Sequence, residues 1–348
     1  MMRRYIVQRL ILMIPTLFLI LLLNFAIIQC APGGPIDQLL HQLDMQRSSQ
    51  NSAWGYAGQQ GLTPELIEQL KIQYGFDQPF YQRFLNMLQQ YAQLDLGESY
   101  FKEQSVLSLI AARFPVSLSL GLWSTLCIYL ISIPLGIQKA KRQGSRFDRF
   151  TTMLLAFAYA MPAFILALLL IILFAGGSYW QWFPLQGLHT DGIRQQGVWS
   201  QLKDYVWHLC LPVLALSVSG CAALTYLTQY SFSEQLQRQY VTVARAKGLS
   251  EFYILYKHVF RNASLTLVAG LPEVLLAILF SGNVLIEILF NIDGLGLLAY
   301  ESIVQRDYPV IFGLLFVLTL SGMLLRLFGD LLYHWVDPRI NFTAQGHQ

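Results

Sequence analysis

The sequence predicts an all-α integral membrane protein: six transmembrane helices, both termini cytoplasmic, and a small helical periplasmic subdomain between helices one and two. Three observations carry this. Of 348 residues, 55% are hydrophobic and 12% charged, about half the charge of an ordinary globular domain. Six apolar stretches reach the roughly 20 residues that a bilayer requires. Lysine and arginine gather in alternate connections between those stretches.

The spans read as Arg9–Cys30, Pro115–Ile137, Thr151–Gly176, Val206–Tyr230, Leu265–Phe290 and Val310–Tyr333. Residues 1–30 form a short tail and the first helix. The apolar run from Tyr5 to Ile28 exceeds a signal-peptide core of about 7–15 residues, and no small-x-small cleavage site follows it, so it reads as an uncleaved span. Residues 31–114 form the periplasmic subdomain, 115–340 the core with a cytoplasmic loop at about 232–263, and 341–348 a cytoplasmic tail. Prolines 15, 134, 162, 212 and 272 lie in or near spans, where neighbouring helices can re-satisfy the freed carbonyls.

Orientation follows from the cations. Arg3, Arg4 and Arg9 precede the first span; Lys139, Lys141, Arg142, Arg146 and Arg149 follow the second; Arg238, Arg245, Lys247, Lys257 and Arg261 follow the fourth. The opposite connections carry few, which places both termini in the cytoplasm. In the long segment from Ala31 to Phe114, Thr63 and Pro64 read as the cap and first position of a helix that Gly75 ends. A second helical segment runs from Pro79 to about Leu94.

Several kinds of chemistry are excluded. Gly-Lys never occurs as a dipeptide, so there is no phosphate-binding P-loop, and neither HExxH nor Gly-x-Ser-x-Gly is present. The cysteines (Cys30, Cys127, Cys210, Cys221) form no CxxC, and a net charge of +3 is too small to argue for nucleic acid. The chain reads as no enzyme, binding no cofactor or metal. Polar residues within a span are candidates by default: Glu273, Asn283 and Glu287 belong to span five. Glu273 either faces a polar pathway or is satisfied by another helix.

One segment asks for more. "YVTVARAKGLSEFYILYKHVFRNA", Tyr240 to Ala263, is amphipathic, with Val241, Ala244, Gly248, Phe252, Leu255 and Val259 in one stripe. Gly248 suits the left-handed residue that closes a helix, and Ser250 can cap the next. Two short helices at an angle follow, lying along the cytoplasmic face. They could rest on lipid or form a rigid plug for a partner; the glycine break favours the plug.

This stretch resembles the cytoplasmic loop of ABC importer permeases, in the ARAKG…HxxRNA form of the dipeptide and oligopeptide branch. Gly248 matches the glycine of the general motif and Ala244 its second alanine, while Thr242 and Val243 replace its Glu-Ala. The resemblance extends along nearly the whole chain: Ala31–Pro35, YGFDQP at 74–79, LGES at 96–99, FPVSLSLGL at 114–122, LIEILFNIDGLG at 285–296, RDYPV at 306–310 and DPRI at 337–340. GSRFD at 144–148 and FAGGSYWQWFPLQGL at 174–188 look like the Yej-type B permeases, which import peptides and peptide-like antibiotics such as microcin C.

The resemblance implies a multi-pass permease subunit of the bacterial inner membrane, without catalytic activity. Ala244, Arg245, Ala246, Lys247, Gly248, Leu249 and Ser250 would form the coupling helix that docks on an ABC ATPase. Arg245 and Lys247 would contact that ATPase or merely satisfy the positive-inside rule. A second homologous permease would complete a heterodimer, a periplasmic peptide-binding protein would deliver cargo, and ATP and Mg would be bound by the ATPase subunits. Membrane lipid is the remaining partner. The alternatives are a proton-coupled secondary transporter using Glu273 and Glu287, an ABC permease for nickel or glutathione, or a membrane enzyme or scaffold. No repeat supports the first of these, and no cluster of His, Asp or Glu supports the last.

Overall fold

The structure is a computed structural model that describes residues 2–30, 34, 68, 77–177, 179–280 and 284–336. Among the described residues every named element is helical, beside one isolated antiparallel bridge between Glu98 and Ser105. In chain order these are α1 (Met2–Cys30), α2 (Phe80–Ala92), α3 (Val106–Lys141), α4 (Arg146–Ala160), α5 (Ala163–Phe174) and α6 (Val198–Leu236). Then come α7 (Gln239–Ala246), a turn at Glu251–Tyr253, a π-helical stretch (Ile254–Val259) and α8 (Phe260–Ala269). Last are α9 (Leu271–Phe280), α10 (Val284–Leu289), α11 (Leu295–Gln305) and α12 (Tyr308–Val336).

Among the described residues four helices are each long and apolar enough to cross a membrane: α1, α3, α6 and α12. The pair α4 and α5, bent by 97° at its break, makes a fifth if it counts as one span. Two of the expected straight spans are not single helices. Span three bends at Met161 and Pro162, both extended, with ψ of 117° and 137°. The proline ring excludes the helical conformation from the residue before it. Span five is interrupted at Gly270, between α8 and α9, just before Pro272, a residue that has no N–H to continue the ladder; residues 281–283, between α9 and α10, lie outside the described residues. By contrast α3 and α6 run 36 and 39 residues, well beyond the apolar cores predicted for them. The predicted helix at 63–75 lies outside the described residues except Glu68, as do Ala31–Pro35 except Gly34, and the 337–340 tail motif.

The chain divides into two compact units. One comprises Met1–Arg113 with Leu298–Met323. In it Phe25 of α1 meets Phe80 and Phe84 of α2 at ring separations of 5.1 and 5.3 Å, and Phe312 of α12 at 5.4 Å. The LGES and RDYPV motifs converge here. Asp307 accepts hydrogen bonds from Ser99 Oγ and, at 3.2 Å, from the Tyr100 N–H. Burial pushes the Asp307 carboxyl above its ordinary value, and these donors oppose that rise. Lys102 pairs with Glu301 at 2.7 Å beside it.

The other unit comprises Phe114–Leu297 with Leu324–Gln348. Its core packs Leu120 of α3, Ala167 and Leu170 of α5, Leu209 and Val213 of α6, and Ile286 of α10. The turn between α3 and α4 is locked from inside. Lys139 is fully buried; its Nζ donates to Asp148 Oδ1 at 2.7 Å, Asp148 O at 3.0 Å, Thr151 Oγ1 at 3.0 Å and Thr152 Oγ1 at 2.7 Å. Gln229 of α6 and the Gly144 N–H complete the shell around Asp148. Lys139, grouped above with the loop cations, is thus an interior tie.

Candidate functional site

The segment after α6 folds as a hard corner. Helix α7 closes through Gly248, whose φ is +79°. The Gly248 N–H donates to Arg245 O at 2.9 Å and the Leu249 N–H to Ala244 O at 3.3 Å, the paired closure that a left-handed terminal residue permits. An added Cβ at Gly248 would meet nothing within 4 Å, so the requirement for glycine here is dihedral rather than spatial. Ser250 then caps the next turn, accepting from the Tyr253 N–H. Arg245 bridges the corner, with Nε to Glu251 Oε1 at 2.7 Å and Nη2 to Oε2 at 3.2 Å. That hydrogen-bonded guanidinium holds the Glu251 carboxyl below its ordinary value.

The underside of the corner is apolar. Val241, Ala244, Ile254, Leu255, Val259 and Ala263 are buried against Ile137 and Ala140 of α3 and Phe232 of α6. Ser231 Oγ donates to Ala263 O at 2.9 Å, pinning α8 to α6. Of the six positions in the expected stripe, four are buried and two are not: Gly248 at the corner and Phe252, which is 72% exposed. Its buried place is taken by Ile254. The corner resets the helical phase, and the wider π-helical turn then brings Ile254, Leu255 and Val259 to one side.

The outward side carries apolar and aromatic groups that nothing among the described residues covers. Val243, Leu249, Phe252 and Tyr256 are exposed, and the rings of Phe252 and Tyr256 lie 4.5 Å apart. Lys257 sits over the Tyr253 ring at 4.6 Å. Of the seven predicted coupling residues only Ala244 is buried; Arg245, Ala246, Lys247, Gly248, Leu249 and Ser250 face outward. Exposed apolar and aromatic side chains grouped on one short segment are a common feature of protein-docking surfaces.

The polar residues of span five take other places. Glu287 is fully buried. Its Oε1 accepts from Ser117 Oγ at 2.8 Å and its Oε2 from the Leu297 N–H at 2.8 Å. Ser117 Oγ in turn accepts from the Leu295 N–H at 2.8 Å. A Cβ on Gly294 would stand 2.5 Å from this carboxyl, and one on Gly296 3.0 Å from it. The glycines of FNIDGLG make room for Glu287, and the first serine of FPVSLSLGL reaches it. This cluster ties α3 to the loop before α11 and does not join the corner. Glu273 is exposed in the first turn of α9. Asn283 lies outside the described residues.

A sequence profile of the binding-protein-dependent transport system inner membrane component family matches residues 132–342, which include the corner. The chain belongs to this family. These components are non-enzymatic, multi-pass proteins of the inner membrane whose ATPase resides on separate subunits. The chain is 48% identical, over 98% of its length and 99% of the relative's, to the peptidoglycan transport system permease protein YejB of Agrobacterium fabrum. It is 47% identical over the same shares to the inner membrane ABC transporter permease protein YejB of Escherichia coli O157:H7. The oligopeptide transport system permease protein AppB of Bacillus subtilis is 32% identical over 98% of this chain and all of the relative. Among solved structures, an inward-facing MetNI methionine ABC transporter matches with a TM-score of 0.51 at 17% identity, covering 66% of this chain and 97% of that one. That likeness places the helices in the ABC permease fold.

Proposed function

We propose that this chain is the membrane-spanning subunit of an ATP-driven importer of oligopeptides or peptide-like antibiotics of the microcin C type. It is coupled to its ATPase through the corner at Gly248. The carrying observation is the corner itself: a left-handed closure, an Arg245–Glu251 brace, an apolar knob outside, and an underside fixed to α3 and α6. Such a body transmits displacement because its internal contacts are stiffer than its outward ones. Closure of two ATPases around ATP and Mg would push the knob, and α3 and α6 would carry that push into the membrane. Arg245 is engaged by Glu251, so Val243, Leu249 and Phe252 are the surface offered to the ATPase.

Relatives named for peptidoglycan, oligopeptide and dipeptide transport share cargo built on peptide bonds, which supports a peptide-class substrate. In this reading the chain crosses the membrane six times with both termini cytoplasmic. Residues 31–114 form a periplasmic subdomain that helps receive a peptide-binding protein, 115–340 form the core, and a second homologous permease completes the path. The exposed Glu273 would face that second subunit or the path. The proton-coupled alternative loses one of its two acids, because Glu287 is sealed among Ser117, Gly294 and Leu297.

The test is to purify the chain with the products of its neighbouring genes and measure peptide uptake and ATP hydrolysis in vesicles. Co-purification of an ATPase and a second permease, with cargo-dependent hydrolysis, is expected. Uptake by the solitary chain without ATP would overturn the proposal.

A further inference from the structure

Along one side of α6 runs an apolar groove unrelated to the corner. A cavity of about 600 Å³ is bounded by Trp123 and Cys127 of α3, Leu154 and Ala158 of α4, and Leu214 and Cys221 of α6. Ser217 is the one hydroxyl among its lining residues, and its Oγ is turned onto Val213 O at 2.6 Å. A second cavity of about 480 Å³ is bounded by Phe183, Trp199, Leu202, Lys203 and Trp207. Val206 and Cys210 line both, so the two adjoin along α6.

The groove changes character along its length. At its mouth stand the exposed Lys203, the indoles of Trp199 and Trp207, and Phe183, stacked on Trp207 at 4.9 Å. Phe174 links Phe183 to the stacked pair Trp180 and Trp182, whose rings lie 5.3 Å apart. The neighbouring Asp204 is turned away onto the Thr190 N–H and Oγ1, at 2.9 and 2.6 Å. Indoles and a lysine together mark the membrane–water interface. Below them the walls are aliphatic and aromatic. From Lys203 to Cys221 the helix rises about 27 Å, close to the roughly 30 Å of a hydrocarbon core.

We infer that this groove holds one anionic phospholipid, its phosphate on Lys203 and one acyl chain in the cavity beside α6. The charge at the mouth and the purely apolar depth match the two ends of that molecule. A packed helix from another subunit would call instead for small residues along the rim, whereas the exposed rim here is Trp123, Ile131, Leu154, Val206, Cys210 and Leu214, of which Cys210 alone is small.

The experiment uses the assembled transporter in nanodiscs. Phosphatidylglycerol and phosphatidylethanolamine, each with a diazirine on the acyl chain, are photolysed and the labelled peptides mapped. Labelling of the α4 and α6 peptides containing Leu154 and Leu214 is expected, with phosphatidylglycerol favoured about fivefold, the preference conferred by one lysine near a charged headgroup. Lys203→Gln should abolish that preference while leaving phosphatidylethanolamine labelling unchanged. Ala158→Phe, which narrows the cavity and leaves the charge, should lower labelling by both lipids. Equal labelling by the two lipids would mean ordinary annular contact and overturn the inference. Absence of label from α4 and α6 would mean that another subunit covers the groove, and would overturn it too.

Discussion

Ser117 donates its hydroxyl to Glu287 Oε1 at 2.8 Å, joining positions 170 residues apart. The same serine oxygen accepts the Leu295 N–H, so one hydroxyl serves both a carboxyl and a backbone donor. Removing a partner from a buried polar group costs about 1–3 kcal/mol. Ser117→Ala should therefore lower the thermal unfolding midpoint of the detergent-solubilised complex, and an unchanged midpoint would refute the tie.

Gly294 supplies an independent check on that cluster. An alanine there would place its Cβ 2.5 Å from the Glu287 carboxyl. Gly294→Ala alone should destabilise, whereas Gly294→Ala combined with Glu287→Ala should cost less than the two single changes summed. Additive costs in a double-mutant cycle would show that the two residues do not contact.

Lys139 is fully buried against Asp148 and two threonines. Lys139→Met leaves an uncompensated carboxylate, a loss of about 3–5 kcal/mol. Lys139→Met with Asp148→Leu should recover most of it. The yield of folded protein by fluorescence-detected gel filtration would distinguish these outcomes.

At the corner, φ of +79° strains any side chain carrying a branched Cβ. Gly248→Val should cost about 1–3 kcal/mol locally. The protein should still insert but lose cargo-stimulated ATP hydrolysis. Gly248→Asn, whose side chain tolerates left-handed backbone, should retain most of it. Normal coupling in the valine variant would remove the case for a glycine-closed corner.

Asp307 gives a pH signature. Burial raises its carboxyl above the ordinary 3.8, so the folded state holds the proton more tightly than the unfolded chain does. Stability from this group is complete below 3.8 and declines as pH rises through the raised value. Asp307→Asn should flatten that decline in unfolding midpoints measured across pH. An identical slope in both proteins would assign it elsewhere.

Much of this was legible in the sequence because single residues carried the signal. Gly248 and Ser250 announced a corner, and the uninterrupted apolar runs announced α1, α3, α6 and α12. What escaped notice depends on contacts between distant segments. Glu287 read only as a polar candidate of span five, although Gly294 and Gly296 follow close behind and leave it room. Lys139 read as a loop cation because Asp148 and the paired threonines become its ligands only once α4 folds back. Phe252 was misplaced because a stripe drawn at constant period ignores the reset at Gly248 and the wider turn after it. Pro162 and Pro272 were visible, but tolerance of proline in membrane helices concealed that both mark breaks.

The tie between Ser117 and Glu287 also bears on how the chain is made. A ribosome adding about 5–20 residues each second emits Glu287 roughly 8–34 s after Ser117. Throughout that interval α3 sits in the bilayer with its serine unanswered. Synthesis of the segment from Glu287 to Leu295 is thus registered at the end of the first third. A chain truncated before Glu287 would leave α3 without this partner for its serine.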